Sequence, residues 1–293
     1  MKILIYDNLT DSLFEKLKQY GEVSDNRESI RHAEIIVLRG SCCDKQLIDG
    51  ASSLRLIVRG GVGIDTIDTA YAESMGILVR NTPYASAIAV AELAFCLMLD
   101  VASKLNFFEN SMDDGLWLKD EKRSELFGKT LCLVGVGNIA REVAIRANAF
   151  GMHVVGYDNR RKEQPFATMV SSLEEAVCYA DYISLHVPLT EQTQGMINRQ
   201  LLSCCKKQPV IINTSRALVV NAEDISYMLQ KGCIAWYATD VYPSDPPSSD
   251  YCLLHAEHVT LTPHVGANTY ENLERVENEV VEVIGNFITC KES

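Results

Sequence analysis

Two polar side chains stand where apolar strands end. The run "VIINTSRALV", Val210 to Val219, has the β-branched content of a buried strand, yet it delivers Arg216 to its end. A guanidinium is almost never buried without a partner, so Arg216 either turns out into solvent or meets an anion. In "VTLTPHVGANT", His264 also follows an apolar run, held by Pro263 ahead of a Gly-Ala turn. Open α/β sheets bind ligands outside the carboxyl ends of their strands, so both positions are candidate sites.

Two glycine loops are candidates for holding an anion. After Gly135, Gly137 and Ala140 comes a helical stretch, "NIAREVAIRANAFG", and then the strand "HVVGYD", which ends in Asp158. Strand, tight turn, helix, strand and terminal acid form a dinucleotide-binding fingerprint. Gly135 lets the chain turn, Gly137 lets backbone approach a pyrophosphate, and Ala140 still permits close helix packing. The helix N-terminus offers N–H groups and partial positive charge to the phosphates. Asp158 can accept hydrogen bonds from both ribose hydroxyls and would repel a 2′-phosphate, which favours NAD over NADP. Arg160 and Arg161 follow closely and soften that preference.

The other loop, "VRGGVGIDTID", is followed by a short helix and by a strand that ends in Arg80 and Asn81 rather than an acid. Its glycines leave N–H groups open beside Arg59, so Arg59, Gly60, Gly61, Val62 and Gly63 read as a seat for a small carboxylate. The alternative is a plain turn between strand and helix.

A nicotinamide cofactor moves hydride, and hydride arriving at a carbonyl leaves negative charge on oxygen. Such a site needs a proton donor and an electrostatic clamp. Histidine suits the first task because it titrates near neutrality. Of six histidines, His32, His255 and His258 lie in polar stretches, and His153 starts a strand. His186 ends the strand in "YISLHVPLT", near where a cofactor would lie, and His264 has the strand-end placement described above. His255, His258 and His264 lack helical i, i+4 spacing and nearby cysteine ligands, so no metal site is expected.

These residues need a scaffold of parallel strands. Short apolar runs ("KILIYD", "EIIVLRG", "LRLIVRGG", "ILVRN") alternate with helical stretches, and the pattern restarts at Thr130 with "TLCLVGVG", "HVVGYD", "YISLHVP", "VIINTS", "CIAWYATD" and "HVTLTPH". Two such series imply two α/β domains with doubly wound parallel sheets. A long helical stretch, about Ala87 to Asn110, lies between them. The final stretch, "TYENLERVENEVVEVIGNFI", is one amphipathic helix that must pack on one of the two sheets.

Composition is that of an ordinary globular protein, with 293 residues of which 47% are hydrophobic. The formal net charge of -12 argues against nucleic acid or an anionic membrane as a partner. The opening "MKILIYDNLTD" is too short for a signal peptide, and the most apolar stretch, "AIAVAELAFCLMLDVA", is broken by Glu92 and Asp100 and reads as a buried helix. Ten cysteines include no C-x-x-C pair, and the doublets Cys42-Cys43 and Cys204-Cys205 are poor disulfide or zinc frameworks. Reduced thiols and a cytoplasmic location are expected.

The stretches "VRGGVGIDTID", "NTPYASAIAVAEL", "GKTLCLVGVGNIAREVA", "SLHVPLTEQTQGMIN", "INTSRALVVN", "ATDVYPSDPP" and "LTPHVGANT" together resemble the D-isomer-specific 2-hydroxyacid dehydrogenase family, nearest to its phosphoglycerate dehydrogenase-like branch. They fall in the family's order and cover nearly the whole chain. The resemblance implies a Rossmann NAD-binding domain, residues 99–267, inserted in a flavodoxin-like substrate domain formed by residues 1–98 and 268–293. It implies an NAD-dependent oxidoreductase acting on a 2-hydroxy or 2-oxo acid, and a homodimer formed through the NAD domain. By resemblance, Arg216 holds the substrate's carboxylate and carbonyl oxygen, a task suited to a planar and always charged fork. His264 matches the family's acid/base, and Asp240 an acid at the nicotinamide end of the cofactor. The cofactor set then comprises Gly135, Gly137, Asn138, Ile139, Asp158, His186, Pro188, Thr214, Asp240 and Gly266.

One position departs from the pattern. Asp245 stands where the family normally has a glutamate paired with the histidine. A carboxylate beside an imidazolium favours its charged form, and aspartate keeps the charge while being one methylene shorter. A small loop shift or a bridging water is expected to restore the contact. The chain ends just after its final helix, so no C-terminal regulatory domain is expected. Arg39, Arg59 and Arg80 are the candidate cations for a phosphorylated substrate. "AESMG" carries no basic residue where some phosphoglycerate enzymes resemble "TRKG", so hydroxypyruvate, glyoxylate and D-lactate-type substrates stay open. So does a non-catalytic, NAD-sensing relative of the corepressor type.

Overall fold

The computed structural model describes residues 1–7, 10–160 and 163–289. Arg161, named above beside Asp158, lies outside them. The chain divides into two compact units, residues 1–86 with 268–293 and residues 87–267, the second inserted between the two segments of the first.

In the first unit the elements are β1 (Lys2–Ile5), α1 (Asp11–Leu17), β2 (Glu22–Ser24), β3 (Ile35–Leu38), α2 (Lys45–Gly50), β4 (Leu56–Arg59), α3 (Thr69–Ser74) and β5 (Leu78–Asn81). The five strands pair in parallel in the order β2-β1-β3-β4-β5, the flavodoxin-like arrangement. Alternate side chains of β3 feed opposite faces, Ile35 and Val37 one core and Ile36 and Leu38 the other. The last helix of the chain, α10 (Tyr270–Thr289), covers the first of these faces with Val276, Val280 and Ile284. Its Arg275 Nε donates to the Ala85 carbonyl at 3.0 Å, and Glu279 accepts the Ala85 N–H at 2.9 Å.

The second unit contains α4 (Ala87–Ser103), α5 (Leu105–Asp113), β6 (Thr130–Val134), α6 (Asn138–Ala149), β7 (His153–Tyr157), β8 (Thr168–Met169), α7 (Leu173–Cys178), β9 (Tyr182–Leu185), α8 (Arg199–Leu202), β10 (Val210–Asn213), α9 (Ala222–Gln230), β11 (Trp236–Thr239) and β12 (Val259–Leu261). Its seven parallel strands run in the order β12-β11-β10-β9-β6-β7-β8, the Rossmann order with one strand added at an edge. Leu131 and Leu133 of β6 face one core layer, and Cys132 and Val134 face the other. The expected boundary near residue 98 falls inside α4. That helix belongs wholly to the second unit, because Ala91, Ala94, Phe95, Leu97, Met98 and Ala102 all join the core over this sheet. Nor does one helix run to Asn110: Lys104, at φ 55°, separates α4 from α5.

Helix starts follow local chemistry. α1, α2, α3, α7, α8 and α9 begin on Thr10, Asp44, Asp68, Ser172, Asn198 and Asn221, whose side chains each accept an N–H of the first turn. Ala140, Ala144 and Ala147 of α6 are fully buried, and their small side chains let the helix lie close to its neighbours.

Each sheet has one point where strand order reverses, and each reversal is tightly organised. In the first unit it lies between β1 and β3. There Asp7 accepts the N–H groups of Arg39, Gly40 and Ser41 at 2.6, 2.8 and 3.0 Å, and the Ser41 hydroxyl as well. Burial pushes the Asp7 carboxyl up, but the Ser41 hydroxyl and these three N–H groups outweigh it and hold the group below its ordinary value. In the second unit the reversal lies between β6 and β9. Gly135 turns there with φ +87°, and a Cβ on it would come within 2.6 Å of the His186 carbonyl oxygen.

Two stability measurements follow. A carboxyl held low contributes stability that is full above its unfolded value and fades as pH falls through its folded one. Asp7→Asn will therefore lower the urea midpoint at pH 7, and the gap to the parent will narrow between pH 4 and pH 2; a constant gap would remove the charge as its source. Gly135→Ala must adopt a left-handed backbone and displace the His186 peptide, so it should cost about 2 kcal/mol or more in the same assay.

Candidate active site

At the carboxyl ends of β6, β7 and β9 the second unit opens a cavity of about 730 Å³. Gly135, Gly137, Asp158, His186 and Pro188, all expected at a cofactor site, line it, and so does Arg160. Asn138 and Ile139 form the first turn of α6, which follows directly from Gly137 at its N-cap. A Cβ added to Gly137 would meet nothing within 4 Å, so the backbone there faces open space that a phosphate can approach. Asp158 follows β7 and accepts the Val136 N–H at 3.2 Å and the Arg160 N–H at 2.9 Å. Its carboxylate thus braces the glycine turn from the next strand.

His186 is anchored from beneath. Ser184, fully buried and two residues earlier on the same face of β9, lies 2.9 Å from its Nε2. Burial pushes the ring's pKa down to about 4, so it is neutral near pH 7. A neutral ring adds no charge to the cavity wall.

A second cluster forms at the ends of β10, β11 and β12. Asn213, fully buried, organises the turn after β10. Its Oδ1 accepts the Ser215 N–H at 3.1 Å and the Ser215 hydroxyl at 2.9 Å, and its Nδ2 donates to the Arg216 carbonyl at 3.0 Å. Arg216 stands half-buried on this turn, with Nη1 donating to the Ser215 carbonyl at 2.8 Å. Thr214 beside it carries a buried Oγ1 that meets no hydrogen-bond partner among the described residues. An orphaned hydroxyl at a strand end is what a polar ligand would satisfy.

Asp240, expected beside the nicotinamide, is only 2% exposed, and both its oxygens are engaged by the loop after β12. Oδ1 accepts the Thr262 hydroxyl at 2.7 Å and the Val265 N–H at 2.8 Å; Oδ2 accepts the Gly266 N–H at 2.7 Å. A Cβ on Gly266 would lie 2.9 Å from Asp240 Oδ2, so this approach requires glycine. His264 sits in the middle of the captured loop at φ 54°. Its Nδ1 bonds directly to Asp245 Oδ2, the direct contact that was one of the two expected arrangements. Both side chains are about half exposed, at 48% and 54%.

The remaining candidates belong to the first unit. Arg59 ends β4, Gly60 packs a backbone against Val276, and a Cβ on Gly61 would overlap the Arg59 guanidinium. The Asn81 amide donates to the Val62 carbonyl at 2.6 Å, which ties the loop through Val62 and Gly63 to the end of β5. Arg39 follows β3 on the Asp7-held turn, and Arg80 is exposed on the edge strand β5. The sequence reading missed Ser184, Asn213 and Thr262. Ser184 and Asn213 support a candidate two or three residues away, a signal carried only by small polar types at otherwise apolar strand ends, whereas Thr262 bonds to Asp240 from 22 residues away and carries no local signal. Among the described residues no three His, Cys, Asp or Glu side chains cluster to hold a metal, and no helix is long and apolar enough to cross a membrane.

Residues 95–266 match the family described as D-isomer specific 2-hydroxyacid dehydrogenase, NAD binding domain. The chain is 38% identical over 274 residues to a hydroxypyruvate reductase of Thermotoga maritima, covering 92% of this chain and 90% of that protein. It is 37% identical over 300 residues to a D-3-phosphoglycerate dehydrogenase of Methanocaldococcus jannaschii, covering 97% of this chain but only 57% of the relative. The crystal structure of D-lactate dehydrogenase from Aquifex aeolicus, complexed with NAD and lactic acid, superposes with a TM-score of 0.88 at 27% identity, covering 99% of this chain and 96% of that one. With a glycine turn and terminal acid on a Rossmann sheet, and these likenesses along its length, the chain belongs to the D-isomer specific 2-hydroxyacid dehydrogenases, NAD-dependent oxidoreductases that act on 2-hydroxy acids.

Proposed function

We propose that this chain interconverts a D-2-hydroxy acid and its 2-oxo acid, with His264 as acid/base, Asp245 as its partner and Arg216 as the carboxylate clamp. The direct contact between His264 Nδ1 and Asp245 carries this reading. A binding protein needs no proton donor, whereas a carbonyl undergoing reduction does.

NADH, held in the cavity of the second unit, would supply the hydride that the carbonyl carbon receives. His264 holds the proton that the carbonyl oxygen takes up as charge builds there, and in the reverse direction it accepts the hydroxyl proton. Asp245 fixes the ring's orientation through its contact with Nδ1. Arg216 engages the carboxylate through two parallel N–H donors. Gly135, Gly137 and the first turn of α6, with Asn138 and Ile139, cradle the pyrophosphate. Asp158 takes the ribose hydroxyls, while His186, Pro188 and Thr214 line the path of the cofactor. Asp240 and Gly266 hold the His264 loop. Arg59 and residues 60–63 of the first unit are a seat for a small carboxylate.

D-3-phosphoglycerate is the first substrate we propose, with Arg39, Arg59 and Arg80 as its cations. Hydroxypyruvate and glyoxylate are the second reading, favoured by the likeness to a hydroxypyruvate reductase along nearly the full length of both chains. We also propose a homodimer formed through the second unit, where Leu105, Met112, Trp117 and Phe127 are large, apolar and exposed. A cytoplasmic location is supported by nine free thiols among the described residues.

A panel of 2-oxo acids with NADH tests the reading. Turnover is expected with 3-phosphohydroxypyruvate, hydroxypyruvate or both, and with NADH preferred over NADPH by at least about tenfold because of Asp158. Tight NADH binding without turnover of any acid would instead mark a sensor. Asp245→Asn should lower kcat for reduction by about 10²-fold with KM little changed, and Asp245→Glu should recover most of it. Equal losses in both variants would remove the carboxylate from the mechanism.

A further inference from the structure

The doublet Cys204-Cys205, a poor disulfide framework by itself, acquires a third thiol in the fold. Cys178 closes α7, and the Lys206 N–H donates to the Cys178 carbonyl at 2.7 Å. The peptide group that joins Cys205 to Lys206 therefore lies directly against the backbone of Cys178. Ordinary bond lengths on either side of that hydrogen bond keep the Cα atoms of Cys178 and Cys205 within about 7 Å, near the span a disulfide bridges.

The neighbouring thiols are excluded by their surroundings. Cys204 is turned back on α8, its Sγ 3.9 Å from the Gln200 carbonyl. Cys132 is fully buried in the core. Cys178 and Cys205 are both half-buried, within reach of a small reagent. Burial, with Cys204 and Cys178 alongside, pushes the Cys205 thiol up to about 11, so Cys205 is a poor first nucleophile.

We propose that Cys178 and Cys205 form a reversible intramolecular disulfide on exposure to a small disulfide such as oxidised glutathione. The Cys178 thiolate attacks one sulfur of the reagent, whose S–S bond breaks and releases one thiol. Cys205 then loses its proton to solvent, attacks the Cys178 sulfur and expels the second thiol. Two protein thiols are oxidised, and one reagent disulfide is reduced to two thiols. The new bond would join the segments that feed the amino ends of β9 and β10. His186 and Arg216 follow the carboxyl ends of the same strands, so the bond stiffens the sheet away from the chemistry.

The test is incubation of the full-length native protein with oxidised glutathione, then a non-reducing peptide map and a thermal melt. The expected result is a cross-linked pair of peptides containing Cys178 and Cys205, 2 Da lighter than their sum, reversed by dithiothreitol. Closing that loop should raise Tm by about 5 °C. Cys204→Ser should keep the cross-link, and Cys178→Ser and Cys205→Ser should each abolish it. A glutathione adduct that persists on Cys178, or a link from Cys178 to Cys204, would overturn the proposal; the parent's map alone decides this if a variant fails to fold.

Discussion

The buried carboxylate of Asp240 governs where His264 can stand. A carboxylate that is 2% exposed must be fully hydrogen-bonded, and the donors it finds are two backbone N–H groups and a hydroxyl from the loop after β12. The loop is thereby pinned on both sides of the histidine. A residue with φ 54° is uncommon outside glycine and persists only when its surroundings over-determine it. Here they do, through Asp240 on both flanks and Asp245 on the ring. Gly266 is the complement of this arrangement, since any side chain would strike the carboxylate.

The same economy recurs at the other strand ends. Asn213 does for Arg216 what Asp240 does for His264, and Asp7 does it for the turn that carries Arg39. In each case a buried or partly buried polar side chain at a strand's carboxyl end gathers the N–H or C=O groups of a loop that regular pairing would leave unmet. The sheet itself supplies little chemistry. It delivers these anchors in register, and the anchors place the exposed groups.

Much of this was legible in the residues. Alternating strand and helix patterns pointed to two parallel sheets, and Gly135, Gly137 and Asp158 marked the turn and the acid that line the cavity. Strand-end placement in the sequence singles out Arg216 and His264. The short edge strands β2 and β8 were not legible, because three and two residues carry no periodic signal. Nor was the allegiance of α4 to the second unit, since a helix apolar on most of its faces does not say which sheet it covers. The Asp245–His264 contact was expected, but not which of two routes, a loop shift or a bridging water, would make it. It depends on how a proline-rich loop carries its acid, and side-chain length alone did not reveal that.

The insertion has a consequence for how the chain comes off the ribosome. The inner face of the first sheet, with Ile3, Ile35, Val37, Leu56 and Val58, waits for Val276, Val280 and Ile284 of α10. Those arrive only after the whole of the second unit has been synthesised. At elongation rates of about 5–20 residues per second, the N-terminal strands spend on the order of ten seconds or more with that apolar face covered only by Leu13 and Leu17 of α1. Nascent chains of this protein therefore carry a sticky sheet for most of their synthesis, and the inserted unit completes its own core first.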